Sequence, residues 1–81
     1  MKYNVLQFST STSGYYAGVV ATFDGFDNAK VKYHQLLAAL INDADTITAV
    51  IKIEDQYGHE MVGYMETVEH SVETETETET I

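Results

Sequence analysis

The chain predicts an α+β domain of ββαββ order: a four-stranded, mainly antiparallel sheet with one helix packed on one of its faces. Three observations carry that expectation. Two stretches before residue 24 alternate with a period near two, a segment between residues 29 and 44 places apolar side chains at helical spacing, and two further stretches after residue 46 alternate again. The 81 residues suit one small domain, and 44% apolar residues with six Tyr and three Phe are enough for a core.

The first strand is read over 2–9, KYNVLQFS, and the small polar run STSTSG that follows suits a hairpin loop. In the second strand Tyr15, Ala17, Val19, Ala21 and Phe23 alternate with Tyr16, Gly18, Val20 and Thr22, which gives one fully apolar face. DGFDN breaks the pattern, and Asp27 or Asn28 is the expected helix N-cap. Tyr33, Leu36, Leu37, Leu40, Ile41 and Ala44 then follow the i, i+3, i+4, i+7, i+8, i+11 spacing of a single apolar stripe, so the helix should lie on the sheet and end near NDAD. A third strand sets Ile47, Ala49, Ile51 and Ile53 against Thr48, Val50, Lys52 and Glu54. After the bend DQYGH, a fourth sets Met61, Gly63 and Met65 against Val62, Tyr64 and Glu66. Two hairpins account for the sheet.

One helix covers one sheet face. The other would carry Val20, Val50, Val62 and Tyr64, and a bare apolar patch of that kind predicts a homodimer or a partner docked there.

Charge divides the chain. Lys2, Lys30, Lys32 and Lys52 balance Asp24, Asp27, Asp43 and Asp45, so residues 1–53 are neutral. Beyond them stand Glu54, Asp55, Glu60, Glu66, Glu69, Glu73, Glu75, Glu77 and Glu79 with no Lys or Arg, and they account for the whole formal charge of −9. That sign opposes direct binding of nucleic acid or of an anionic membrane. It favours a protein partner with a basic surface, engaged by these nine acids. Residues 1–70 form the expected domain and 71–81, the Glu-Thr repeat, an acidic tail expected to be mobile and solvated. As a strand the tail would space its carboxylates roughly 7 Å apart, about four times more sparsely than the charges of duplex DNA, so alone it is a poor mimic of a nucleic-acid backbone.

Chemistry finds little support. Without Cys there is no disulfide, thiolate nucleophile or zinc-thiolate site. His59, Glu60, Glu69 and His70 have the right ligand types but none of the tight spacings that specify zinc, and His34 reads as a surface side chain. FDGFD and NDAD supply acid pairs where turns and caps already explain Asp, no EF-hand spacing is present, and neither Ser9, Ser11, Ser13 and Ser71 nor the five Gly form a catalytic or phosphate-binding motif. The expectation is a non-enzyme with no metal and no cofactor. Tyr15, Tyr16, Tyr57 and Tyr64, on or near the hairpins, could anchor an interface; alternatively Tyr15 belongs to the core. A signal peptide and a membrane span are not evident, which predicts a cytoplasmic protein.

FDGFDNAKVKYHQLLAALINDAD followed by AVIKIEDQYGHEMVGYME resembles, in size, arrangement and style, the short acidic uncharacterised proteins of phages and mobile elements of Gram-positive bacteria. The resemblance spans residues 2 to about 70 and contains no diagnostic motif. It implies a non-enzymatic accessory role in the host cytoplasm, either inhibition of a nucleic-acid-handling host protein or particle assembly. Acidic inhibitors of restriction, repair and CRISPR enzymes are similar in size and charge, without matching contact residues. The inhibitor reading makes Glu54, Asp55, Glu60, Glu66, Glu69 and the tail the contact surface; the alternative, an assembly subunit, relies on self-association through the uncovered face.

Overall fold

A computed structural model describes residues 1–70. The elements run β1 (Tyr3–Ser11), β2 (Gly14–Phe23), α1 (Phe26–Ile41), β3 (Thr46–Asp55) and β4 (Glu60–Glu69), and the strands form one antiparallel sheet in the order β2-β1-β3-β4. The expected ββαββ fold is therefore present. β1 and β3 are central; β2 and β4 are the edges. No helix among the described residues is long and apolar enough to cross a membrane.

α1 lies on one face. Val5 from β1, Ala49, Ile51 and Ile53 from β3, Val68 from β4, and Ala29, Tyr33 and Leu40 from the helix form the buried core, with Phe23, Leu36, Leu37 and Met61 packed around it. The alternation of β3 is realised from Thr48 onward: Ala49, Ile51 and Ile53 are buried while Thr48, Val50, Lys52 and Glu54 face away. Ile47, expected on the core face, is only half-buried and Thr46 is buried instead, because the β1–β3 register shifts between Thr10 and Ser11. α1 begins at Phe26, two or three residues earlier than a cap at Asp27 or Asn28 implies, and Phe26 stacks on Tyr3 at 5.1 Å and meets Tyr64 edge-on at 5.3 Å. Its N-cap is Gly25, with no side-chain capping bond, rather than Asp27 or Asn28; Asp27 instead lies in the first turn, where it pairs with Lys30 and complements the helix dipole. After the helix, Asp43 accepts hydrogen bonds from the Asp45 amide and the buried Thr46 hydroxyl, which fixes the entry to β3.

Two irregularities break the regular alternation of the edge strands. Between β1 and β2 the register steps from Val5↔Ala21 to Leu6↔Val19, which leaves Val20 as an extra residue. Ala21 and Phe23 thus share the helix side with Val5 and Tyr3, whereas Val19, Ala17 and Tyr15 turn to the opposite face, so the expected single apolar face of β2 is split. Between β3 and β4 the register steps from Lys52↔Met65 to Glu54↔Glu60. Gly63 sits in the displaced segment at φ +87°, a conformation that glycine adopts without a Cβ penalty. The offset sends both Met61 and Tyr64 toward the helix, whereas strict alternation would have put them on opposite faces.

Candidate protein-binding face

The sheet face opposite α1 is built from four cross-strand rows. Thr22, Asn4, Glu54 and Glu60 form one; Val19, Leu6, Lys52 and Met65 the next; Ala17, Phe8, Val50 and Thr67 the third; and Tyr15, Thr10, Thr48 and Glu69 the last. The two middle rows make a contiguous apolar patch, and none of the described elements lies over it. Val19 and Met65 are 50% and 52% exposed, and Leu6, Phe8 and Val50 are half-buried only by their neighbours. Polar and acidic residues close both ends.

Lys52 is the cation of this face. Its Nζ lies 2.9 Å from Glu54 and 3.0 Å from Glu60, and it stands over the Phe8 ring at 5.6 Å from the centroid. The hydrogen bond to Glu54, then that to Glu60, holds the Lys52 ammonium above its ordinary pKa, so it remains charged. One Lys against Glu54, Glu60 and Glu69 leaves the face apolar at its centre and negative at its rim.

The structure redistributes the residues singled out in the sequence. Of Val20, Val50, Val62 and Tyr64, Val50 lies in the central patch. Val20 occupies the β2 bulge, and Val62, 96% exposed, projects from the displaced segment of β4. Tyr64 is a correction: it is not on the uncovered face but on the helix side, with its ring 5.3 Å from Phe26 and 5.5 Å from Tyr33, because the irregularity at Gly63 turns it over. Burial pushes the Tyr33 phenol up, and the nearby Glu66 adds to the effect.

The acidic residues are dispersed rather than gathered. Glu54 and Glu60 are bound to Lys52. Asp55, 8% exposed, organises the β3–β4 turn: its Oδ1 accepts hydrogen bonds from the Tyr57 amide at 2.8 Å and the His59 amide at 3.0 Å, and His59 Nδ1 lies 3.4 Å from Oδ2. The His59 amide above all, with the Tyr57 amide, holds this carboxyl below the usual carboxylate range. Glu66 and Glu69 point to opposite faces of β4, toward the helix and the bare face respectively. Glu73, Glu75, Glu77, Glu79 and Ser71, with the tail expected over 71–81, lie outside the described residues.

His59 and His70 sit at opposite ends of β4, so His59, Glu60, Glu69 and His70 do not converge on one point. His34 is exposed and packs edge-on against Tyr33. Tyr15, Tyr16 and Tyr57 are 71%, 46% and 68% exposed, which places Tyr15 outside the core. A shallow groove of about 340 Å³ runs between the end of α1 and β4, with Leu37, Ile41 and Val68 beneath Glu66 and Glu69. Leu6, Phe8, Val19 and Met65 are the members of the bare face that sequence reading missed. The period of β1 marks Leu6 and Phe8 as partners on one face, but only register reveals Val19 and Met65.

Compared with known proteins, the chain matches no family model, no curated protein and no solved structure.

Proposed function

We propose that the chain is a protein-binding domain without catalytic activity, and that its bare sheet face receives a partner whose surface is apolar at the centre and basic at the rim. The single observation that carries this reading is the contiguous patch of Leu6, Phe8, Val19, Val50 and Met65, uncovered by any described element and bordered by Glu54, Glu60 and Glu69. Apolar burial would supply most of the affinity, and the acidic rim would set approach rate and salt dependence. A basic-surfaced protein of nucleic-acid metabolism fits that chemistry, in keeping with an inhibitory role in a bacterial cytoplasm of the kind the resemblance implies. The charge split between residues 1–53 and 54–81 favours the same class of partner.

The test is photo-cross-linking in host lysate from a benzoylphenylalanine at Phe8, with a second probe at Val31 on the exposed side of α1 as control. A protein captured from Phe8, lost on Val50→Asp and weakened by raised salt, supports the reading. Capture from Val31 alone, or capture indifferent to Val50→Asp, refutes it. An assembly subunit that self-associates face to face would show itself as cross-links from Phe8 to the same chain.

A further inference from the structure

The two edges of the sheet are unlike in a way that the bare face does not explain. β4 has the features by which edge strands discourage further pairing: Glu60, Glu66 and Glu69 along it, a register break, and Gly63 at positive φ. β2 has no charged residue among its ten, GYYAGVVATF. From Gly14 to Val19 it pairs with β1 in unbroken register, Ser11↔Gly14 through Leu6↔Val19, and the bulge at Val20 comes only after that stretch. On a strand paired on one side, alternate residues direct N–H and C=O away from the neighbour, so this uncharged segment presents a row of ladder positions that have no partner among the described residues. Tyr15, Tyr16, Ala17 and Val19 are all exposed, and Tyr and Val are side-chain types that stabilise cross-strand pairs.

We infer that β2 pairs antiparallel with β2 of a second copy of this chain, about a two-fold axis normal to the sheet, over residues 15–19. Charge selects this occupant. Two copies each carrying −9 repel wherever their acidic halves meet, and two bare faces rimmed by Glu54, Glu60 and Glu69 repel likewise. β2 is the edge farthest from those acids: two strand spacings of about 4.8 Å put Glu54 on β3 roughly 10 Å away and three put β4 roughly 14 Å away, both beyond the screening length of about 8 Å at physiological salt. The strand also offers a basic peptide no acid to recognise, whereas a second β2 meets it without repulsion. A two-fold axis normal to the sheet keeps both helices on one side, so the two bare faces join into one eight-stranded surface lined at its centre by Tyr15, Ala17 and Val19 of both copies. The inference does not rest on the partner reading, but it would make that reading bivalent.

The test uses the full chain, with sedimentation equilibrium over a concentration series and hydrogen exchange of the β2 amides at the same concentrations. The expected result is a dimer in which the β2 amides directed away from β1 become protected. At a total chain concentration ten times the dissociation constant about one fifth of the chains remain monomeric, so their exchange should slow by about fivefold. Tyr16→Lys and, separately, Ala17→Lys, both at exposed positions, should return the chain to monomer and restore fast exchange, while a circular dichroism spectrum like that of the parent shows that each still folds. A monomer at all concentrations up to about 1 mM overturns the inference. So does a dimer whose β2 amides exchange at the monomer rate and which Val50→Asp, not Tyr16→Lys, dissolves, because that dimer forms through the bare face. A dimer of this kind in a chain whose Phe8 probe captures no partner, or captures one indifferently to Val50→Asp, would refute the partner reading alone.

Discussion

The two faces of this sheet use adjacent residues of the same strands for different purposes. In β3, Ile51 and Ile53 are fully buried, while Val50, Lys52 and Glu54 beside them are only half-covered. Phe8 and Leu6, larger than Ala49, are more exposed than it is. What separates the faces is therefore not side-chain hydrophobicity but whether α1 lies above. One face stabilises the monomer; the other retains apolar surface that gains free energy only when something covers it.

The largest contrast should come from neighbouring substitutions. Ile51→Ala removes buried methyl and methylene groups from the core and should cost about 2–5 kcal/mol in urea unfolding, a large fraction of the roughly 5–15 kcal/mol that holds a domain of ordinary stability together. Val50→Asp, one residue away on the bare face, should change stability by about 1 kcal/mol or less while abolishing cross-linking from Phe8. Equal destabilisation by the two would mean that the second face is already covered in solution and would erase the distinction.

A smaller effect is expected where β4 changes face. Gly63 stands at φ +87° with open space around a built Cβ, so Gly63→Ala should destabilise through backbone strain alone, by about 1–2 kcal/mol in the same assay. If the strand responds by flattening, Tyr64 will leave Phe26 and Tyr33, and its fluorescence and near-ultraviolet circular dichroism will change with it.

Asp55 tests the inner face at its acid end. Its folded pKa lies below the ordinary 3.8, so the stability it contributes is complete above that value and is lost as pH falls through the folded pKa. Wild-type thermal midpoints should decline below about pH 4, with part of that decline due to Asp55. Asp55→Asn, which keeps an acceptor for the Tyr57 and His59 amides, should remove that part, so that the gap between the two proteins narrows in acid. A gap independent of pH would refute the charge contribution and leave only the hydrogen bonds.

How much of this was legible in the sequence follows from where the period is regular. β3 alternates regularly from Thr48 to Glu54, so Ala49, Ile51 and Ile53 declare the core, and the spacing of Tyr33, Leu36, Leu37 and Leu40 declares the helix side that meets them. Bulges are different, because one extra residue reverses every later side chain without altering composition. Nothing about Val20 marks it as the extra residue, so Val19 was assigned to the wrong side; at Gly63 the glycine was a signal, but it did not reveal that Tyr64 turns inward. The placement of the acids is hidden from the sequence for another reason. Charge counting treats Glu54, Asp55 and Glu60 alike, whereas the hairpin register joins Glu54 and Glu60 to Lys52 and turns Asp55 into a ligand of backbone amides. Neutrality over 1–53 and excess beyond it give the sign of the charge but not the partner that each carboxylate finds.

Lys52 offers the smallest and most specific test of the contrast between faces. Its side chain is 19% exposed, as is that of Glu54, so the pair is neither free in water nor in the core, and Lys52→Met should cost about 1 kcal/mol or less. Because the folded pKa is raised above the ordinary 10.5, the stability supplied by the charged form is full below that pH and disappears as pH rises through the folded value. The wild-type advantage over Lys52→Met should therefore be flat through neutral pH, shrink above about pH 10.5, and shrink also with added salt, whereas the cost of Ile51→Ala should not depend on salt in this way. A salt-independent Lys52→Met effect would mean that the aliphatic stem over Phe8, rather than the ion pairs, gives Lys52 its role, and the bare face would then be held together by the same apolar packing as the covered one.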